Sequence, residues 1–293
     1  MVLPEGQDGG HPDWHGRDVP DSGMRVRAYL SGNTVHDKVI TAFAQGCDAE
    51  IVAGWKYEPS EVAVVFGVYK SRVPASFPRG QIIAQQRSKN KAVIVLETGY
   101  LNRGDGENHH YAAGWNGLNG RADFNNLDSP QDRADKLGVE LKPYTTGEDI
   151  LLCGQVPWDA SVEHSDHIAW LHETAKKLKR ITKRTVVFRP HPLALLPPID
   201  GCGYSTGPLE HELPFAHCVV TYNSNSGVDA LIAGKPVYAA DKGSMVWHSC
   251  MRDIHDVDDP WNPDRRQWLN DLAYCQWNLE EMKSGEAWRH LSR

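Results

Sequence analysis

The sequence predicts an α/β fold of two doubly wound domains followed by a C-terminal helical segment. Three observations lead there. Short, continuous apolar runs recur along the chain, as strands buried on both faces of a parallel sheet do. Helix-like segments separate them. The runs fall into two series, parted by the polar stretch "LGVELKPYTTGED" from Leu137 to Asp149. The expected layout is a flexible leader at 1–23, a first domain at 24–145, a second at 146–262, and helices at 263–293 that pack back on the domains.

The opening "MVLPEGQDGGHPDWHGRD" is polar and lacks the basic start and apolar middle of a signal peptide. "MRVRAYL" (24–30) reads as a strand, and "GNTVHDKVITAFAQG" (32–46) as a helix capped by Asn33 or Thr34. "EVAVVFG" (61–67) and "KAVIVLE" (91–97) are strands, with the helix "RGQIIAQQRSKN" between them. "DILLCGQ" (149–155) opens the second series. The helix "SVEHSDHIAWLHETAKKLKRIT" follows, then the strands "RTVVFRPHP" and "HCVVTYN", a helix, and the strand "KPVYAA". Near the end, Trp268, Leu269, Leu272, Ala273 and Trp277 stand close to helical spacing and read as packing residues.

Composition narrows the class. The 293 residues are 40% hydrophobic and 24% charged, as in a globular protein. No apolar stretch reaches the roughly 20 residues that cross a bilayer. The six cysteines form no CxxC pair and read as reduced thiols of a cytoplasmic protein. A net charge of −7 argues against a dedicated sequence-independent DNA binder, but leaves room for a local basic patch. No GxGxxG follows the first strand, no GxxxxGK[ST] is present, and no DxD stands where a metal-dependent transferase would need one. "DVDD" (Asp256–Asp259), ahead of Pro260, reads as a solvated loop.

The densest signal is "VVTYNSNSGVDALIAGKPV". A strand ends near Tyr222 and a helix begins around Ser226 or Gly227. The positive end of a helix and its free N–H groups favour an anion. Ser224, Asn225 and Ser226 can cap the helix and donate hydrogen bonds, and Gly227 would let a ligand approach the backbone. "VVFRPHP" ends another strand with Arg189, whose planar fork suits phosphate, and His191. Gly154 and Gln155 end a third. Ligands of open parallel sheets sit beyond such carboxyl ends. The three together predict a phosphate or diphosphate site in the second domain.

"RPHP" followed by "TYNSNSGVDALIAGKPV" resembles the donor-binding half of GT-B glycosyltransferases, which pair two Rossmann-like domains. The resemblance implies a nucleotide-sugar donor, UDP-linked as first expectation, with its diphosphate on the Ser-Gly helix start and its ribose facing an acidic residue, here Asp229. It implies no metal requirement, because helix dipole and basic groups can meet the leaving diphosphate. Capsular-sugar transferases of the Kdo-transferase type are similar. So are phage-encoded enzymes that glycosylate hydroxymethylated pyrimidines in DNA, on "GWNGLNGRADF", "TYNSNSGVDALIAG" and "WLNDLAYCQWNLEEMKSGEAWRHL". UDP-sugar epimerases share the fold and a similar loop. A non-catalytic module that binds a nucleotide or polyanion is a further reading.

The acceptor is expected on the first domain. The Gly-rich stretch 97–124 reads as one long functional loop. Transfer to a hydroxyl needs a base, and the loop offers Asp105, Glu107, His109, His110 and Asp123, with Asp123 and Asp105 first. Between Lys56 and Lys91, seven Lys and Arg face two Glu, with Tyr69 and Phe77 interleaved. That suits a polyanion such as DNA, and the favoured expectation is a phage-type transferase acting on a 5-hydroxymethylated pyrimidine in DNA, with a saccharide-directed transferase or a UDP-sugar epimerase as the alternative. Lys70, Arg72, Arg79, Trp115 and Asn116 are the acceptor-binding candidates.

Overall fold

The computed structural model describes residues 24–54, 56–68, 78–104, 108–162 and 165–293. The leader expected at 1–23 lies outside them. The first series runs β1 (Val26–Tyr29), α1 (Thr34–Gly46), β2 (Glu50–Val52), β3 (Val62–Phe66), α2 (Pro78–Ser88), β4 (Ala92–Thr98), β5 (Tyr111–Trp115) and α3 (Asp132–Leu137). The second runs β6 (Asp149–Cys153), α4 (His167–Ile181), β7 (Val186–Arg189), β8 (Gly203–Tyr204), α5 (Leu209–Glu212), β9 (Ala216–Thr221), α6 (Ser226–Ile232) and β10 (Val237–Ala239). The chain closes with α7 (Arg266–Ala273), β11 (Gln276–Trp277), α8 (Leu279–Lys283) and α9 (Glu286–Leu291).

Two sheets result, as the two apolar series predict. One has the order β11-β5-β4-β3-β1-β2, the other β10-β9-β6-β7-β8. All pairings of the second sheet are parallel. In the first, β2, β1, β3 and β4 are parallel, while β5 and β11 run antiparallel. The central strands are apolar on both faces: all five residues of β3 and all six of β9 are buried, His217 among them. Asn33 caps α1 by accepting from the N–H groups of Val35 and His36.

Three expectations change. The stretch 97–124 is not one loop, since Tyr111–Trp115 within it forms β5. Tyr111, Ala112 and Ala113 are buried between β4 and β11, and flanking glycines hid this short strand. The helix expected from Ser161 starts at His167, where Asp166 accepts from the Ala169 N–H. The C-terminal segment is not purely helical, because β11 extends the first sheet and the Ala113 N–H donates to the Cys275 carbonyl at 3.1 Å.

The last 28 residues cross between the cores. Trp268, Leu269 and Leu272 pack with β9 and β10 residues such as Val219 and Val237. Trp277, Leu279, Met282 and Leu291 pack with α1 and the first sheet. The linker is tied down on the second-domain side. The Lys142 N–H donates to the Ile232 carbonyl, and that of Thr145 to Gly234. The buried Arg265 lies 3.9 Å over the Tyr144 ring and donates to the Lys142 carbonyl at 2.7 Å.

Candidate active site

Parallel register brings three strand ends together. Cys153 of β6 pairs with Arg189 of β7 and with Thr221 of β9. Gly154, His191 and the 222–225 turn therefore leave the sheet side by side. They open on a cavity of about 590 Å³, lined by Gly154, Arg189, His191, Ser224, Asn225, Ser226 and Asp229 among others. The other two expected donor-site residues stand behind its wall. Gln155 donates to Asn223 Oδ1 at 2.8 Å and accepts from the Asn223 N–H at 2.9 Å. A Cβ on Gly227 would meet Val246 at 3.2 Å and Val237 at 3.4 Å. The missing side chain of Gly227 thus lets α6 lie close on its sheet; the ligand-facing role expected for it is not what this geometry serves.

The turn uses its own groups more than expected. The Ser224 N–H donates to Thr221 Oγ1 at 3.1 Å, and the Ser226 N–H to Ser224 Oγ at 3.2 Å. The Gly227 N–H donates to the Ser224 carbonyl. What faces the cavity is side-chain chemistry. Asn225 Nδ2 donates to the Tyr100 carbonyl at 3.3 Å, while its buried Oδ1 has no partner among the described residues.

Arg189 is buried, and its Nε donates to the Gly207 carbonyl at 3.0 Å, which fixes the plane of the guanidinium. No carboxylate stands within ion-pair distance of it among the described residues. His191 accepts from the Leu193 N–H on Nδ1 at 3.1 Å, so the neutral ring carries its proton on Nε2. Burial, then the neighbouring Arg189, push its pKa below the usual histidine range.

Sequence reasoning missed the cations that reach this site from elsewhere. Arg103, from the loop after β4, grips Asp229 with two hydrogen bonds of 2.8 and 2.6 Å. Arg121 grips Asp241 likewise at 2.7 and 2.6 Å, and Asp241 also accepts from Asn223 Nδ2 at 2.7 Å. Both arginines belong to the Gly-rich stretch 97–124, whose acids and histidines were the stronger signal in sequence.

A second cavity, of about 720 Å³, lies at the carboxyl ends of β3 and β4. The Gly67 N–H donates to the Leu96 carbonyl at 2.7 Å, which sets Gly67 beside Glu97. His36, Phe66, Arg79, Glu97 and Asn119 line one side, and Val156, Trp158, Asp159 and Leu193 the other. The two cavities adjoin along two chain segments: Gly154 and His191 line the first, and Val156 and Leu193, two positions further on in each, line the second. Burial raises the Glu97 pKa above the usual carboxylate range. The Thr98 N–H, which donates to Oε1 at 2.9 Å, and Arg79 oppose this rise, and Asp159 adds to it.

Of the expected base and acceptor residues, Arg79 lines this cavity and donates to the Phe66 carbonyl at 2.6 Å. Asp105, Glu107, Lys70 and Arg72 lie outside the described residues. Asp123 bridges Trp115 beside Ile94, near the start of β4, and accepts from the Asn125 N–H in a local turn. Trp115 donates to the Leu291 carbonyl, and Asn116 exchanges hydrogen bonds with Val93. These three residues hold the far end of the sheet, away from Glu97. The reason is the reversed direction of β5, which the sequence did not reveal. His109 packs against Gly104 in the loop that carries Arg103. Lys89 and Lys91 flank a separate pocket with Arg25 and Tyr57 at the amino ends of the strands, not the cleft side.

All six cysteines are free, no group of three potential metal ligands occurs among the described residues, and no described helix is long and apolar enough to cross a membrane. No protein-family model matches the chain, and no curated protein matches it. Among solved structures it is similar to the β-Kdo 2,4 transferase of KpsC from Thermosulfurimonas dismutans, with a TM-score of 0.57 and 15% identity, covering 85% of this chain and 90% of that one. It is also similar to the β-Kdo 2,7 transferase of KpsC from the same organism, with a TM-score of 0.55 and 16% identity, covering 92% of this chain and all of the other. At such identity the likeness shows the fold: two sheets of parallel strands clad in helices, arranged as in these GT-B-like transferases.

Proposed function

We propose that this chain is a glycosyltransferase that takes its sugar from a nucleotide-sugar bound in the cavity of Arg189, His191 and the 224–226 turn. The observation that carries the reading is Arg189, a buried cation held in plane by Gly207 with no carboxylate among the described residues within ion-pair distance. Such a group favours an anion, and its fork matches phosphate oxygens. His191 offers an Nε2 donor beside it. Asp229, one turn into α6, suits a ribose hydroxyl, and Ile232, Ala233 and Leu213 provide an apolar floor for a base. The similar solved structures, both Kdo transferases, support sugar transfer as the chemistry.

In this mechanism the second domain holds the donor and the first presents the acceptor. As the glycosidic bond to the diphosphate breaks, negative charge grows on the leaving oxygen. Arg189 and His191 are already in place to meet it, with little reorganisation. UDP-sugars remain the first donors to test. The acceptor expected from the sequence, hydroxymethylated DNA, now rests on Lys70 and Arg72, outside the described residues. A saccharide acceptor is the reading carried forward.

Calorimetry with UDP, GDP and CMP tests the donor site. Arg189→Ala removes a charge-assisted hydrogen bond worth ~1.5–3 kcal/mol and should weaken the preferred nucleotide roughly tenfold to a hundredfold. Unchanged affinity in a folded variant would place the site elsewhere. Binding with no transfer or hydrolysis would favour a nucleotide-binding module, and interconversion of sugars an epimerase.

A further inference from the structure

We propose that the cavity at Glu97 is the acceptor site, that it takes an uncharged polyhydroxylated acceptor, and that Glu97 accepts the proton of the attacking hydroxyl. This inference rests on the donor reading above.

The first argument is placement. The cavity is walled by both halves of the chain, and the Gly154–Val156 and His191–Leu193 segments each run from the donor cavity into it. A sugar whose diphosphate lies against Arg189 would direct its anomeric carbon across these segments. An acceptor in the second cavity would meet it there. Glu97, at the carboxyl end of the central strand β4, is held by the Thr98 N–H through Oε1. A Cβ on Gly67 would come within 3.5 Å of Oε2 and 2.9 Å of the Arg79 guanidinium. The bare backbone there, at φ +71, lets the Arg79 guanidinium and Glu97 Oε2 both stand close to Gly67 at the cavity wall.

The second argument is charge. The described lining carries two carboxylates, Glu97 and Asp159, against Arg79, which already donates to the Phe66 carbonyl. The charge balance of this described lining disfavours phosphate. Its remaining walls fit a sugar. His36 stacks on Phe66 at 3.9 Å, and the exposed Trp158 and Leu193 stand at the lip, offering flat apolar surface beside hydrogen-bonding groups.

The third argument is chemistry. A carboxylate partly withdrawn from water is a stronger base than one in solution. In a direct displacement, the acceptor O–H bond breaks and its proton passes to Glu97 Oε2. The freed oxygen pair forms the bond to the anomeric carbon. The bond from that carbon to the diphosphate breaks, and its electron pair leaves with the diphosphate towards Arg189 and His191. The charged and titratable groups facing Glu97 are Arg79 from α2, Asp159 from the loop after β6, His36 from α1, and Tyr100 after its own strand.

The test incubates full-length protein with a panel of UDP-, GDP- and CMP-sugars, against an array of neutral glycans and an oligonucleotide containing 5-hydroxymethylcytosine. Nucleotide affinity is measured in parallel. Transfer to a neutral glycan and not to the oligonucleotide is expected. Glu97→Gln should cut the rate by ~10²–10⁴-fold, with nucleotide affinity within twofold of wild type and with the acid limb of the pH–rate profile lost. Trp158→Ala, a surface change, should raise acceptor KM several-fold with the same nucleotide affinity, so the proposal is testable even if Glu97→Gln fails to fold. Wild-type turnover in folded Glu97→Gln, transfer to the oligonucleotide alone, or nucleotide binding with no transfer to any glycan each overturns it. Absence of nucleotide binding in the wild-type protein instead removes the donor reading.

Discussion

Arg103 and Asp229, 126 positions apart in the chain, meet in a two-pronged ion pair with hydrogen bonds of 2.8 and 2.6 Å. Arg103 follows the central strand of one sheet, and Asp229 lies one turn into the helix that opens the donor cavity of the other. The acid best placed for a ribose is thus held by a cation from the opposite half. On the proposed donor reading, a ribose hydroxyl would share or compete with Arg103 for the Asp229 oxygens.

For Asp229→Ala we expect nucleotide affinity to fall about tenfold, through loss of an acceptor worth ~1–1.5 kcal/mol. Stability should change little, since both partners are partly exposed and such pairs contribute ~0–1 kcal/mol. Calorimetry and a melting curve separate the two effects. A large drop in Tm with unchanged affinity would make the pair a structural clasp.

A second expectation concerns Arg133, Lys136 and Glu281, which join α3 to α8. Arg133 donates to both Glu281 oxygens, at 3.2 and 3.0 Å, and lies 3.9 Å over the Trp277 ring. Burial alone would raise the Glu281 pKa; the hydrogen bonds from Arg133, Lys136 and the Asn278 N–H outweigh it and hold the group at about 2. A depressed carboxylate stabilises the fold above its unfolded pKa, and that contribution fades as pH falls from about 4.5 to about 2. Arg133→Met leaves a buried charge short of its main partner and should cost ~3–5 kcal/mol at pH 7. Urea denaturation gives the number, and a loss below 1 kcal/mol would show that Lys136 alone suffices.

The third expectation is a stability loss on mild acidification. His167 is buried, accepts from the Gln155 N–H on Nε2 at 2.9 Å, and stacks on Trp170. Burial lowers its pKa to about 4. The unfolded chain therefore takes up this proton near pH 6.5 and the folded chain only near 4, so stability is full above 6.5 and declines between the two. The decline should be about 2–3 kcal/mol for this group. His167→Gln keeps an acceptor for the Gln155 N–H but does not titrate. Its loss of stability between pH 7 and 4.5, read by denaturant midpoint, should be smaller than the wild-type loss by about that amount. Equal losses would assign the acid response to other groups.

The two α/β series and the strand-end residues Gly154, Arg189, His191 and the 224–226 turn are legible in the sequence. Local chemistry sufficed there: apolar runs mark strands buried on both faces, and polar residues after such runs in a parallel sheet project from one edge. Tertiary structure alone decided the rest. The direction of β5 depends on hydrogen bonds to β4 and β11, the latter from residues some 160 positions later, and it removed Asp123, Trp115 and Asn116 from the cleft. Gly227 reads alike as a ligand gap or a packing gap until Val246 and Val237 are set against it. Glu97 looked like the ordinary end of an apolar strand. Its position between two domains, facing Asp159 and Arg79, arises only when β3, β4 and the loop after β6 converge, because burial and charge around a carboxyl come from neighbours in space rather than in sequence.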